Sequence, residues 1–134
     1  MFCLDTDTLS AVLRPVPSLE VIRRLADTAP DDQFTTSITL GELLYGAARK
    51  GSPGLAERAR AAIRGAMHVL PFDAAAAEIY GELRPALEAA GNQLDDPDLR
   101  IASIALSRDL TLVTGNVRHF ERVPGLRVDN WLDG

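Results

Sequence analysis

The 134-residue chain predicts an α/β fold: a mostly parallel central sheet flanked by helices on both faces. Three observations lead there. Short apolar runs alternate with longer segments of helical period from one end to the other. Turn-forming or capping residues punctuate nearly every change of period. No internal repeat, low-complexity tract or linker interrupts the alternation, so residues 1–134 are expected to form one domain.

Phe2-Cys3-Leu4 is a buried strand running into Asp5-Thr6-Asp7-Thr8, a helix start. Leu9, Val12 and Leu13 continue that helix until Pro15 and Pro17 stop it. Ser18 caps a second helix in which Leu19, Ile22, Leu25 and Ala26 share a face. Ala29-Pro30-Asp31-Asp32 is a turn, Phe34-Thr35-Thr36 a strand, and Ser37 the cap of a helix carrying Leu40, Leu43, Leu44 and Ala47. After the break at Gly51-Ser52-Pro53-Gly54 come a helix from about Leu55 to Arg64 and a strand through Met67-His68-Val69-Leu70-Pro71-Phe72. Asp73 opens a long helix with Ile79, Leu83 and Leu87 that ends at Gly91, with Pro85 expected to kink it. Asp95-Asp96-Pro97-Asp98 starts a helix reaching Leu106, Thr111-Leu112-Val113-Thr114 is a strand, and Leu126-Arg127-Val128 a short last one.

The net charge of −5 argues against a protein that grips nucleic acid by bulk positive charge, but divalent cations can supply that charge locally. It also leaves room for a basic partner chain. No apolar run approaches the ~20 residues of a membrane-spanning helix, and with a carboxylate already at Asp5 the opening residues are not expected to be the apolar region of a signal peptide. Cys3, the only cysteine, sits in an apolar run and reads as a core residue in a reducing, cytoplasmic protein.

In an open parallel sheet the chemistry gathers beyond the carboxyl ends of the strands. Asp5 to Thr8, the residues after Phe34-Thr35-Thr36, and Thr114-Gly115-Asn116 occupy those places, and all are polar. One cap suffices for a helix and crowded carboxylates repel unless a cation lies between them, so Asp5 is read as functional, while Asp7 divides evenly between cap and ligand. By pattern alone Glu42 is a surface glutamate and Asp95, Asp96 and Asp98 are helix-start residues. His68 is expected to point outward from its strand, and His119 either to orient a phosphate or to pack. The basic residues Arg49, Lys50, Arg58, Arg60 and Arg64 form a solvated face or a contact for RNA phosphates or an acidic partner. There is no phosphate-binding glycine loop of the Walker type, no paired-cysteine zinc motif and no histidine pair at ligand spacing.

Four blocks in order change these weights. Phe2-Cys3-Leu4-Asp5-Thr6-Asp7-Thr8-Leu9-Ser10 resembles the opening of PIN-domain toxins of the VapC type. Thr36 to Gly46, centred on Glu42-Leu43, is similar to that family's second block, and Asp98-Leu99-Arg100-Ile101-Ala102-Ser103-Ile104-Ala105 to its third. Leu112 to Phe120 matches the fourth, and Val123 to Val128 followed by Trp131 matches the usual ending. Two departures stand out: the family's Asn is Asp7 here, and the acid many relatives carry at the place of Asn116 or His119 is missing, leaving an amide without charge.

The resemblance implies a metal-dependent endoribonuclease, the toxin of a type II toxin–antitoxin pair. It groups Asp5, Glu42, Asp98 and Asn116 as the catalytic set and leaves Asp95 and Asp96 as helix-start residues. Asp5 and Asp98 would be the ligands of Mg²⁺ or Mn²⁺, and Glu42 a proton acceptor or the holder of a bound water. The implied partners are RNA, a cognate antitoxin that sets a basic side chain against the carboxylates, and a second copy of the chain. Competing readings are a DNA-directed nuclease or phosphatase with the same carboxylates, a catalytically weak binding module of the same fold, and a receiver-like domain. The last is set aside because no lysine follows Lys50.

Overall fold

The computed structural model describes residues 1–132. Five strands form one sheet in the order β3-β2-β1-β4-β5, with β1 Phe2–Leu4, β2 Gln33–Thr36, β3 His68–Leu70, β4 Thr111–Val113 and β5 Val128–Asp129. All four pairings are parallel. The helices are α1 Thr6–Leu13, α2 Leu19–Ala26, α3 Ser37–Arg49, α4 Pro53–Ile63, α5 Ala74–Ala89, α6 Asp96–Ser107 and the single turn α7 Val117–Phe120.

Side-chain alternation along the central strands divides the core in two. Cys3 and Leu112 face a cluster built with α5, α6 and Phe120, while Leu4 and Val113 face one built with α1 to α4 and Trp131. Both faces are therefore covered by helices, as expected for parallel strands. Among the described residues no helix is long and apolar enough to cross a membrane.

The sheet order places a topological switch at β1. The chain moves outward from β1 to β2 and β3, then returns to β4 on the other side. The crevice beyond the carboxyl ends of β1 and β4 is where such folds bind ligands, and Asp5 lies there. Its backbone N–H donates to Val113 O at 3.0 Å, and the Thr8 hydroxyl donates to the same oxygen at 3.0 Å.

Several local expectations change. Thr36, not Ser37, caps α3: its hydroxyl accepts from Thr39 N at 3.0 Å, because β2 runs straight into the helix and Thr36 keeps the extended backbone a cap requires. The buried residue of α2 is Val21, whereas Leu19 is 76% exposed and Ile22 also faces outward. Val21 joins the core cluster that includes Leu9 and Trp131, with Leu25 packed against that cluster, and this burial fixes the helix rotation. Helix α4 begins at Pro53, with the Ser52 hydroxyl accepting from Leu55 N, so half of the supposed break is helix. The strand around Val69 shrinks to His68–Leu70, and the last strand is Val128–Asp129. Helix α5 runs through Pro85 to Ala89, and Gly91 just beyond it turns the chain with a φ of +72°, the left-handed terminus glycine permits.

Leu112 is fully buried at the sheet centre. Leu112→Ala is expected to lower stability by roughly 2–5 kcal/mol through lost burial and a residual cavity. Urea unfolding followed by the fluorescence of Trp131, the only tryptophan, measures it.

Candidate active site

Asp5 is only 4% exposed. Its Oδ1 accepts from Thr8 N at 2.9 Å, so it caps α1, and the Thr114 hydroxyl also donates to the carboxyl group. Capping and function were set as alternatives for this residue, but the geometry uses one oxygen as a cap and leaves the group in the crevice. Burial, outweighing those hydrogen bonds and assisted by the charge of Asp7, lifts the carboxyl from 3.8 to about 6.

Glu42 projects from α3 to meet α1: Thr6 Oγ1 donates to Glu42 Oε1 at 2.6 Å and approaches Thr39 Oγ1 at 3.3 Å. Thr39 in turn is tied to the Thr36 hydroxyl, so the end of β2 and the start of α3 brace the side chain that braces Glu42. Asp98 sits in the first turn of α6, half-buried. Its carboxyl is raised above the ordinary range by burial first, with His119 pulling it down and Glu42 and Asp95 pushing it up. His119 Nε2 stands 3.1 Å from Asp98 Oδ2, and the His119 ring packs edge-on against Phe120. His119 therefore packs on Phe120, as one of its two readings has it, and its polar contact is with Asp98.

The structure thus brings Glu42 and Asp98 within electrostatic reach of one another from different helices, and joins Asp5 to Glu42 through the adjacent Thr6. Asn116 is exposed and its side chain caps nothing; its backbone N–H donates to Thr114 Oγ1 at 3.0 Å, linking it to Asp5 through that hydroxyl. The other acids separate from the cluster. Asp96 is held outward by Tyr80, by Arg100 at 2.7 Å and by Arg84, and the Tyr80 hydrogen bond is the main reason its carboxyl lies below the ordinary range. Asp95 occupies the cap position of α6 without a side-chain cap bond. His68 points outward as expected, 3.6 Å from Asp31. Burial and the nearby Asp5 charge push the Cys3 thiol up to about 12, as befits a core residue rather than a nucleophile.

Sequence reasoning missed Thr114 as a partner of Asp5, Thr39 as a brace and His119 as the partner of Asp98. A histidine three residues past a strand-end Asn was visible, but only the fold brings α7 against the start of α6.

Among the described residues no three His, Cys, Asp or Glu side chains close on one point as a metal cage. A fully protein-coordinated zinc or calcium site is not what this donor set resembles. Crowded, partly buried carboxylates with hydroxyl and amide neighbours fit a hard cation that keeps most of its waters, as Mg²⁺ does.

The model of the family described as PIN domain matches residues 2–126, and the chain belongs to that family. Within it, the chain is 38% identical over 133 residues to the tRNA(fMet)-specific endonuclease VapC of Salmonella typhimurium, covering 97% of each. It is 34% identical over 134 residues to Ribonuclease VapC2 of Haemophilus influenzae, covering 98% of each. The crystal structure of VapBC2 from Rickettsia felis bound to a promoter DNA fragment contains a chain that matches with a TM-score of 0.88 at 30% identity, over 97% of this chain and 98% of that one.

The Asp5 shift makes the metal-free fold sensitive to pH. The folded protein keeps this proton up to about pH 6, whereas the unfolded chain releases it near 3.8. Stability from this group therefore falls as pH rises from about 4 to about 6 and stays low above, by up to about 3 kcal/mol. Asp5→Asn, which retains a capping oxygen, should flatten that fall and stabilise the chelated protein at pH 7.5 by about 1–3 kcal/mol. Melts in EDTA across pH 4–8 read both effects; an unchanged pH profile in the variant would show the burial cost lies elsewhere.

Proposed function

We propose that this chain is a divalent-metal-dependent endoribonuclease and the toxin of a toxin–antitoxin pair, acting in the cytoplasm with all 134 residues in one PIN domain. The observation that carries the reading is the meeting of Glu42 and Asp98, with Asp5 buried beside them, at the carboxyl end of the sheet. Repelling carboxylates brought together from three elements are costly without a cation, and perturbed carboxyls in a crevice are the mark of a working site. The Salmonella and Haemophilus relatives are named as RNA-cutting enzymes, which supports RNA as the substrate.

Asp5 and Asp98 are the residues we assign to hold Mg²⁺ or Mn²⁺. The ion, when bound, supplies positive charge against the scissile phosphate and lowers the pKa of water. The chain's own groups do the rest. Thr6 holds Glu42 by a hydrogen bond to Oε1, leaving Oε2 to accept a proton from the attacking water. His119 holds Asp98 in one orientation. Asn116, exposed at the rim, orients water or phosphate by its amide. Attack of water on phosphorus leaves a 5′-phosphate and a free 3′-hydroxyl. A cognate antitoxin would quench the acidic crevice with a basic side chain, and we expect the toxin to pair with a second copy of itself.

Cleavage of a single-stranded RNA should stop in EDTA and return with Mg²⁺ or Mn²⁺, with little cutting of the matched DNA strand. Full activity in extensively chelated protein would refute the mechanism. Asp98→Asn should reduce cutting at least ~10²-fold, and His119→Ala, which frees Asp98 rather than removing it, roughly 10–100-fold. Initial-rate assays at saturating Mn²⁺ compare them.

Expression of the chain alone should slow bacterial growth, and co-expression of its small partner chain should restore it. Harmless accumulation of folded, RNA-cutting protein would count against the toxin role while sparing the enzyme.

A further inference from the structure

Beside the carboxylates lies a cleft of about 400 Å³ between α1, α3 and α4. Thr6 and Glu42 form one end of it, so the cleft opens from the active site itself. Leu13, Leu43 and Leu55 supply an apolar floor, and the exposed Arg14, Lys50 and Arg58 stand along its edge. Most of the chain's arginines are tied to carboxylates, but among the described residues none of these three cations makes an ion pair. In an acidic protein of net charge −5, three unpaired cations beside one apolar hollow are an arrangement for an anion with a flat apolar part.

The geometry points to this cleft as the subsite that receives the base of the nucleotide adjoining the scissile phosphate, with Arg14, Lys50 and Arg58 on the RNA backbone. The inference rests on the ribonuclease reading and deepens it by assigning substrate selection to the α1–α3–α4 cleft. The size is that of a small-molecule site, and sequence-selective recognition of RNA uses unpaired bases splayed out of the strand. Guanidinium planes stack on such bases, and leucine side chains accept their apolar faces. Continuity with Glu42 gives the order of contacts: a phosphate at the carboxylates places a neighbouring nucleotide at the mouth of the cleft.

The test uses the full chain in EDTA with methyl-labelled leucines, titrated separately with adenosine and uridine 5′-monophosphates and with ribose 5-phosphate. The Leu13, Leu43 and Leu55 methyl signals should shift with at least one nucleotide, at an affinity at least fivefold above that for ribose 5-phosphate. Equal response to ribose 5-phosphate, or none of these methyls moving, overturns the inference. A response of these methyls to the co-expressed partner chain with no response to either nucleotide also overturns it, and would make the cleft a protein-docking groove. In a second arm, the double variant Arg14→Ala/Arg58→Ala should raise KM for a single-stranded RNA about tenfold, hold kcat within about twofold and flatten the log–log salt dependence of binding by about 1.4, roughly 0.7 per lost phosphate contact. A fall in kcat at constant KM and an unchanged salt slope contradicts it. RNA cutting by the same preparation tests the underlying activity separately: cutting without a methyl response removes the subsite and leaves the nuclease, and a methyl response without cutting does the reverse.

Discussion

Val113 O, at the end of β4, accepts two hydrogen bonds: one from the backbone of Asp5 and one from the hydroxyl of Thr8. Through this single carbonyl, β1 is locked to β4, the first turn of α1 is held over the strand ends, and the Asp5 carboxyl is fixed in the crevice. Thr8 and Val113 are both fully buried, so the bonds form where water cannot compete and where an unmade partner would be costly. The position of Thr6, and through it of Glu42, follows from the same anchoring of α1. Loss of this junction would disturb the core and the acidic cluster together.

The electrostatics of the site oppose the packing that creates it. Burial raises both Asp5 and Asp98, and Glu42 and Asp95 raise Asp98 further, while Thr114, Thr8 and His119 each return only part of the cost. The hydroxyls and the imidazole hold individual carboxylate oxygens in place without neutralising the cluster. Elsewhere the chain pairs its charges on the surface: Asp96 with Arg100, Glu20 with Arg23 and Arg24, Asp109 with Arg127. These exposed pairs contribute little each.

Much of the architecture was legible because local rules and global fold agree. Asp73 and Ser18 cap their helices as their types suggest, Gly91 turns the chain just beyond α5, and the apolar runs at Phe2 and Thr111 become the sheet centre. Where local signals competed, they misled. Helix α2 carries apolar residues on two sides, and periodicity alone cannot say which side meets the core; burial in the cluster that holds Leu9 and Trp131 chose Val21 and left Leu19 in water. At the start of α3, Thr36 and Ser37 are both good caps, and the extended backbone leaving β2 selected Thr36.

By itself the sequence determined the order of strands and helices, the strand ends at which polar residues collect, and, through its ordered motifs, the PIN family to which the chain belongs. Those properties depend on neighbours a few residues apart or on the pattern as a whole. Only tertiary structure decided which acids meet. Asp95, Asp96 and Asp98 share one helix start and look alike, yet α7 and α3 reach Asp98, and Tyr80 and Arg100 claim Asp96. Glu42 is an ordinary helical glutamate until Thr6 of another helix hydrogen-bonds to it. The reason is physical: a carboxyl's hydration, charge environment and partners are set by groups distant in the chain, and these come together only when the sheet and its helices close.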